Sequence, residues 1–260
     1  MGRLRNVFSL KKYIFLLRQL IRRDFKMRYR GSLLGVIWSV LNPLLNMLVL
    51  TVVFSQVFRQ VENYMLYVLS GITVFSAFSD ATQTALTSVI INMQLITKVY
   101  MPKIIFPLSK VLSASINLLI TTVVFIILAA VNGVYPTTLY LLIPFVWVCV
   151  ILFSAGVGFI VSALHVYFRD TQHLYGIICT IWMYATPILY PLDTTIPAAL
   201  QPYFRQNPLY LFINLFREIT LNAAIPSAME FFKCAAWAVG LFLIGTFIFV
   251  RMQDDFIYHA

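Results

Sequence analysis

Charge is scarce in this chain. Only 11% of its 260 residues are Asp, Glu, Lys or Arg, and 61% are hydrophobic. A soluble domain carries roughly 25% charged and about 45–50% apolar residues. One core does not use up that surplus, so the rest has to face lipid. Acidic residues number nine, with no acid/base pair among them. The three histidines (His165, His173, His259) and three cysteines (Cys149, Cys179, Cys234) lack metal-ligand spacing. The cysteines lie in apolar stretches and read as small packing residues. No G-x-x-x-x-G-K-[ST] occurs, which excludes a P-loop for ATP, and no H-E-x-x-H occurs either. The N-terminus lacks a short apolar core followed by a small-residue cleavage site, so no cleaved signal peptide is expected.

What the chain does have is long apolar runs, at about 34–58, 65–91, 111–134, 138–164, 174–190 and 230–250. A span needs about 20 residues to cross a roughly 30 Å hydrocarbon core. The pattern predicts an all-α membrane protein of six transmembrane helices, the fifth of them short. Asn132, Gly133, Tyr135 and Pro136 mark a tight turn between the third and fourth spans. Ahead of the first run, Leu10, Tyr13, Ile14, Leu17, Leu20, Ile21 and Phe25 recur at helical spacing, with Lys11, Lys12, Arg18, Arg22 and Lys26 opposite. That is an amphipathic interfacial helix, or alternatively a soluble docking helix. The organisation is therefore an interfacial segment over 1–33, a six-span unit over 34–250 and a cytoplasmic tail over 251–260.

The formal net charge is +10, but its placement argues against nucleic acid. Ten of the 19 Lys and Arg residues lie between Arg3 and Arg30, beside the first run. With Lys98, Lys103, Lys110, Arg169 and Arg251, one side of a six-span layout holds fifteen basic residues. The other holds Arg59, Arg205, Arg217 and Lys233. The positive-inside rule makes the richer side cytoplasmic, with both termini on it. The stretch 191–226 contains Pro191, Pro197, Pro202, Pro208 and Pro226. Its apolar pieces are too short to cross and read as short external re-entrant helices, or as a surface loop carrying one amphipathic helix.

Candidate chemistry is sparse. Asp80 stands within a predicted span, near Ser76, Ser79, Thr82, Gln83 and Thr84. A carboxylate there has to face the bundle or water, as part of a translocation path or as a helix–helix hydrogen-bonding group. Trp38, Tyr67, Phe75, Phe78, Trp182 and Tyr184 lie in or near spans, where aromatic faces either pack or stack on sugar rings. His165 and His173 flank Arg169 and Asp170, a pattern suited to binding backbone or lipid phosphate rather than a metal.

Four stretches together resemble the type 2 ABC exporter permeases of polysaccharide, teichoic acid and O-antigen export. They are Arg23-Asp24-Phe25-Lys26-Met27-Arg28-Tyr29-Arg30-Gly31-Ser32-Leu33-Leu34-Gly35-Val36-Ile37-Trp38 with Asn42-Pro43; Lys98-Val99-Tyr100-Met101-Pro102-Lys103 with Pro107; His165-Val166-Tyr167-Phe168-Arg169-Asp170; and Tyr184-Ala185-Thr186-Pro187-Ile188-Leu189-Tyr190-Pro191 with Asn207-Pro208 and Arg217. The resemblance spans nearly the whole chain in order.

It implies a homodimer in the bacterial cytoplasmic membrane, bound to two separate ATPase subunits. ATP and Mg would belong to those subunits, and this chain would bind no cofactor and be no enzyme. It implies a coupling helix at about 92–100, carried by Gln94, Leu95, Lys98, Val99, Tyr100 and Lys103. Arg22, Arg23, Lys26, Arg28 and Arg30 would meet the headgroup of a lipid-linked polymer. Trp38, Tyr67, Phe75, Phe78, Asp80, Trp182 and Tyr184 would line its path. Gate helices over 191–226 would include Pro191, Pro197, Asn207, Pro208 and Arg217. A wall polymer such as teichoic acid is slightly favoured. The rival readings are a secondary carrier, which ordinarily shows internal repeats and several intramembrane charges, and a membrane enzyme acting on lipid-linked sugars.

Overall fold

The computed structural model describes residues 10–29, 37–98 and 101–256. They form helices α1 (Leu10–Tyr29), α2 (Ile37–Phe54), α3 (Tyr64–Leu86), α4 (Ser88–Ile91), α5 (Met93–Lys98), α6 (Ile105–Val131), α7 (Ile143–Tyr167), α8 (Thr171–Ala185), α9 (Leu192–Thr195), α10 (Gln201–Arg205), α11 (Pro208–Thr220) and α12 (Ala228–Met252). A 3-10 turn, Thr138–Leu142, precedes α7, and another, Gln253–Asp255, follows α12. There is no strand among the described residues.

Four segments among the described residues are long and apolar enough to cross a membrane: Tyr64–Leu86, Ile105–Val131, Thr138–Tyr167 and Ala228–Asp255. In α2 the apolar stretch is Leu44–Phe54, and α8 has 15 residues, about 22 Å of helix. As a helix α2 has 18 residues, about 27 Å, while α8 by itself falls short of spanning length.

Local signals set the helix ends. Asn63, in the left-handed region at φ 49°, starts α3, a conformation asparagine tolerates. Beyond α6, Gly133 has φ 83°, and the Val134 N–H returns 2.9 Å to the Ala129 carbonyl. This is a glycine-closed C-cap that satisfies an otherwise orphaned carbonyl. Asn207 caps α11 by accepting from the Leu209 N–H at 3.1 Å, with Pro208 in the first turn. Ser227 and Glu230 form a reciprocal capping box at the start of α12.

The tightest packing joins α7 and α12. A Cβ added at Gly156 would lie 2.6 Å from the Leu241 carbonyl carbon, and one at Gly245 would strike the Gly156 backbone. Without a large hydrophobic drive between helices in lipid, close backbone approach through small residues supplies the van der Waals contact.

Two buried clusters result. One fills the middle of the bundle and the end where α3, α7 and α12 begin, around Phe78, Phe125, Phe153, Phe212 and Phe216. The other lies at the opposite end and takes in Leu20 of α1, Ile96 of α5, Ile105, Phe106, Phe159, Phe249 and Phe256. Met252 and Phe256, at the start of the stretch expected as the tail, join this second cluster. Phe256 is fully buried, with its ring 5.3 Å from Phe249 and 6.1 Å from Tyr167.

Candidate functional site

After α8 the chain leaves helical geometry at Thr186 (φ −95°, ψ 132°) and stays irregular to Pro191. Its carbonyls have no helix to accept from, so side chains of α3 and α11 serve them. Arg217 donates Nη1 to the Pro187 oxygen and Nη2 to the Ile188 oxygen, both at 3.0 Å. Tyr64 donates to the Leu189 oxygen at 2.7 Å, and Tyr67 to the Tyr190 oxygen at 3.1 Å. Four successive carbonyls are thus satisfied within the protein, the condition for irregular backbone at membrane depth. A carbonyl left without a donor there costs about 1–3 kcal/mol.

Arg217 is the centre of this arrangement. It is 5% exposed, its Nε donates to Ser70 Oγ at 3.1 Å, and its Nη2 also reaches the Tyr67 carbonyl at 3.0 Å. The guanidinium carbon stands 3.5 Å from the Tyr67 ring centroid. Gly71 makes room for it: a Cβ there would lie 2.8 Å from Ile188 Cγ2 and 3.0 Å from Arg217 Nη2. Arg217, counted with the basic residues of the side opposite the termini, is thus a buried cation rather than a solvated one. Four fixed acceptors and one aromatic face suit the planar, five-donor guanidinium better than an ammonium.

The other residues expected at the gate surround this cluster. Pro191 precedes α9, and Pro197 lies between α9 and α10. Asn207 accepts from Trp182 Nε1 at 3.2 Å and donates to Thr186 Oγ1 at 3.0 Å, joining α11 to the end of α8. Tyr140, in the 3-10 turn before α7, donates to the Thr220 oxygen at 3.1 Å. The buried face of α11 includes Leu209, Phe212, Ile213 and Phe216. It is a packed helix of 13 residues, about 20 Å, too short to cross.

At the opposite end, α5 covers the stretch expected to couple. Gln94 and Lys98 are exposed, Leu95 is half-buried and Ile96 is buried. Lys103 faces away from that surface. Its Nζ donates to the Gln253 oxygen at 2.5 Å and lies 5.6 Å from the Phe256 ring centroid. Burial pushes its amine below the usual lysine range, opposed by the carboxylates of Asp254 and Asp255. Val99 and Tyr100 lie outside the described residues.

Of the basic residues on α1, Arg22 and Lys26 are exposed, and Arg30 lies outside the described residues. Arg23 is exposed as well, yet it donates Nη2 to Asp24 Oδ1 and to Asn92 Oδ1, both at 3.1 Å. Lys110 Nζ of α6 stands 3.1 Å from the same Asp24 oxygen, and Asp24 is 7% exposed. One buried carboxylate thus joins α1 to α6 and, through Arg23, to the α4–α5 junction, a network the sequence reading did not single out. Only the sequence proximity of Arg23 to Asp24 hinted at it, since Lys110 and Asn92 are distant in the chain.

Asp80 pairs with Arg28, at 2.6 Å from Nη1 and 3.0 Å from Nη2. The pair joins two helices, while the hydroxyl of the neighbouring Thr84 goes to the Asp80 backbone oxygen.

The aromatic residues divide. Phe75 and Phe78 are buried, and Phe78 packs 5.3 Å from Trp182 and 5.6 Å from Phe153. Trp38 and Tyr184 are 50% and 60% exposed. Tyr67 belongs to the Arg217 cluster. His165 is buried in α7, and no group of three metal-ligating side chains occurs among the described residues.

The model for ABC-2 type transporters matches residues 16–221. The O-antigen export system permease protein RfbA of Myxococcus xanthus is 31% identical over 255 residues, covering 97% of this chain and 98% of that protein. A protein of the same name from Klebsiella pneumoniae is 32% identical over 82% of this chain and 83% of its own length. The polysialic acid transport protein KpsM of Escherichia coli is 24% identical over 90% of this chain and 92% of its own. A family match over most of the chain, with the apolar helices and packed irregular segment described above, makes this chain a member of the ABC-2 type transporter family.

Proposed function

We propose that the chain is the transmembrane permease subunit of an ATP-driven exporter that carries a lipid-linked cell-surface polysaccharide outward across the bacterial cytoplasmic membrane. The relatives named for O-antigen and polysialic acid support a polysaccharide over teichoic acid. In this reading α2 and α8 complete six spans with help from their flanking segments. The end holding α1 and α5 is cytoplasmic because the basic residues gather there. Two copies would bind two ATPase subunits that hold ATP and Mg.

The observation that carries the mechanism is that Leu20 of α1 and Ile96 of α5 enter one buried cluster. A push on the exposed Gln94 and Lys98 would reach the interfacial helix and the feet of α6 and α12 through that cluster, because close-packed interiors transmit displacement rather than absorb it. At the other end, the Arg217 cluster would hold the short helices as an external gate. A long polymer does not fit an occluded pocket, so a continuous route between two copies is the geometry this cargo requires. The exposed Tyr184 and Trp38 would offer sugar rings weak stacking along it.

The test is co-expression with the ATPase encoded beside this chain, purification in lipid nanodiscs and measurement of ATP hydrolysis. A complex with two copies of each chain, and hydrolysis altered by lipid-linked polysaccharide, is the expected result. Absence of any complex would remove the exporter reading and return the question to a stand-alone carrier.

A further inference from the structure

A row of polar side chains runs along one side of α3. Ser76, Ser79 and Asp80 are half-buried and Gln83 is exposed, at the three- and four-residue spacing that puts them on one helix face. Gln83 Nε2 donates to Ser79 Oγ at 2.8 Å, within the row itself. A face of this kind on a spanning helix is excluded from lipid tails and has to border water or a polar guest. At its centre stands the Arg28–Asp80 pair, with side-chain exposures of 28% and 35%. Asp80 lies six residues before the end of α3 at Leu86, about 9 Å along the axis. That places it near the end of the bundle against which α1 packs. Arg28 itself projects from the last turn of α1.

We propose that Arg28 is the phosphate-binding residue for the headgroup of the lipid-linked substrate, and that Asp80 is a built-in competitor which occupies it until substrate arrives. The idea deepens the exporter reading and rests on it for the substrate class. A guanidinium already forked on a carboxylate presents the geometry a phosphate or pyrophosphate oxygen pair needs, and both anions bind bidentately. A pyrophosphate carries more charge than a carboxylate and brings its own acyl anchor. Exchange releases Asp80 onto the polar row, beside Ser76, Ser79 and Gln83, whose hydroxyls and amide match the hydroxyl-rich sugars that follow the headgroup. It also severs this link between α1 and α3, so arrival of substrate becomes movement of the interfacial helix.

The two partners then have opposite effects, which a merely structural ion pair does not give. Binding of a fluorescent polyprenyl pyrophosphate is measured to the permease–ATPase complex in phosphatidylcholine nanodiscs. Asp80→Asn removes the competitor and should tighten binding roughly twofold to fivefold, the scale of an accessible ion pair. Arg28→Gln should weaken it about tenfold, the scale of a lost charged hydrogen bond, and Arg28→Gln with Asp80→Asn should match Arg28→Gln alone. Equal weakening by both single variants, or no change in either, overturns the proposal. The same responses with phosphatidylglycerol as the competing ligand assign the pair to bulk anionic lipid and overturn it as well. A second measurement leaves both charges intact. Spin labels at Met27 and Gln83, both exposed, should move apart with polyprenyl pyrophosphate and stay in place with phosphatidylglycerol; unchanged separation with both overturns the exchange. Binding is read without ATP, so these results stand apart from whether the complex hydrolyses ATP in response to polymer.

Discussion

The guanidinium of Arg217 lies 3.5 Å from the ring centroid of Tyr67 while its Nη2 donates to the carbonyl of that same residue at 3.0 Å. One arginine on a 13-residue helix thereby grips both the ring and the backbone of a spanning helix. Its other donors reach the irregular segment 187–188, so three parts of the chain meet on one cation.

Arg217→Lys is expected to be far from conservative. A lysine supplies one nitrogen and no planar fork; Ser70 still donates to the Tyr67 carbonyl at 2.7 Å, but at least one of the carbonyls of Pro187 and Ile188 loses its donor, a loss of about 1–3 kcal/mol. Thermal unfolding in detergent followed by tryptophan fluorescence checks this. A melting profile equal to wild type would show that the cluster does not hold the segment.

The glycines separate into contact and open positions. Gly156→Ala and Gly245→Ala should each force α7 and α12 apart and lower yield and melting temperature sharply, since the added methyl meets backbone rather than a movable side chain. Gly176→Ala and Gly240→Ala, where nothing lies within 4 Å, should leave stability equal or higher. Size-exclusion yield of the four variants in parallel tests the packing. Equal behaviour of the two pairs would contradict the helix crossing.

Asp24→Asn should destabilise the α1–α6 contact by about 1–3 kcal/mol, because Lys110 and Arg23 then lack their shared anion while both keep some access to solvent. Adding Lys110→Met should recover part of that loss, because the more buried of the two cations left without a carboxylate is then gone. A double-mutant cycle on unfolding measures the coupling. Strict additivity of the two substitutions would mean that the pair is not energetically joined.

On α5, Gln94→Ala with Lys98→Ala should lower export and its link to ATP hydrolysis while leaving unfolding unchanged, because both side chains are exposed. Ile96→Ala, at a buried site, should instead cost stability, roughly 2–5 kcal/mol. Unaltered export by the double variant would remove α5 from the coupling surface.

Much of the fold was legible because lipid imposes a coarse and local rule. Apolar runs of spanning length gave the spans of α3, α6, α7 and α12, and the Gly133 turn and the amphipathic α1 followed from backbone freedom and 3.6-residue spacing. Other expectations moved. The α8 region, taken as one run over 174–190, is helical only to Ala185, since composition does not say where an apolar chain stops being helical.

The sequence by itself determined that this chain belongs in a membrane, which end of it gathers basic charge and, through four ordered motifs, its family. Those features depend on transfer of residues from water and on short-range spacing, which composition and order carry directly. Only the tertiary structure decided that Arg217 is buried, that Asp80 holds Arg28, and that Asp24 joins Lys110 and, through Arg23, Asn92. These are pairings between residues 29 to 150 positions apart. A charge near an apolar run reads the same whether it ends in water, in headgroups or against a carbonyl, and packing makes that choice.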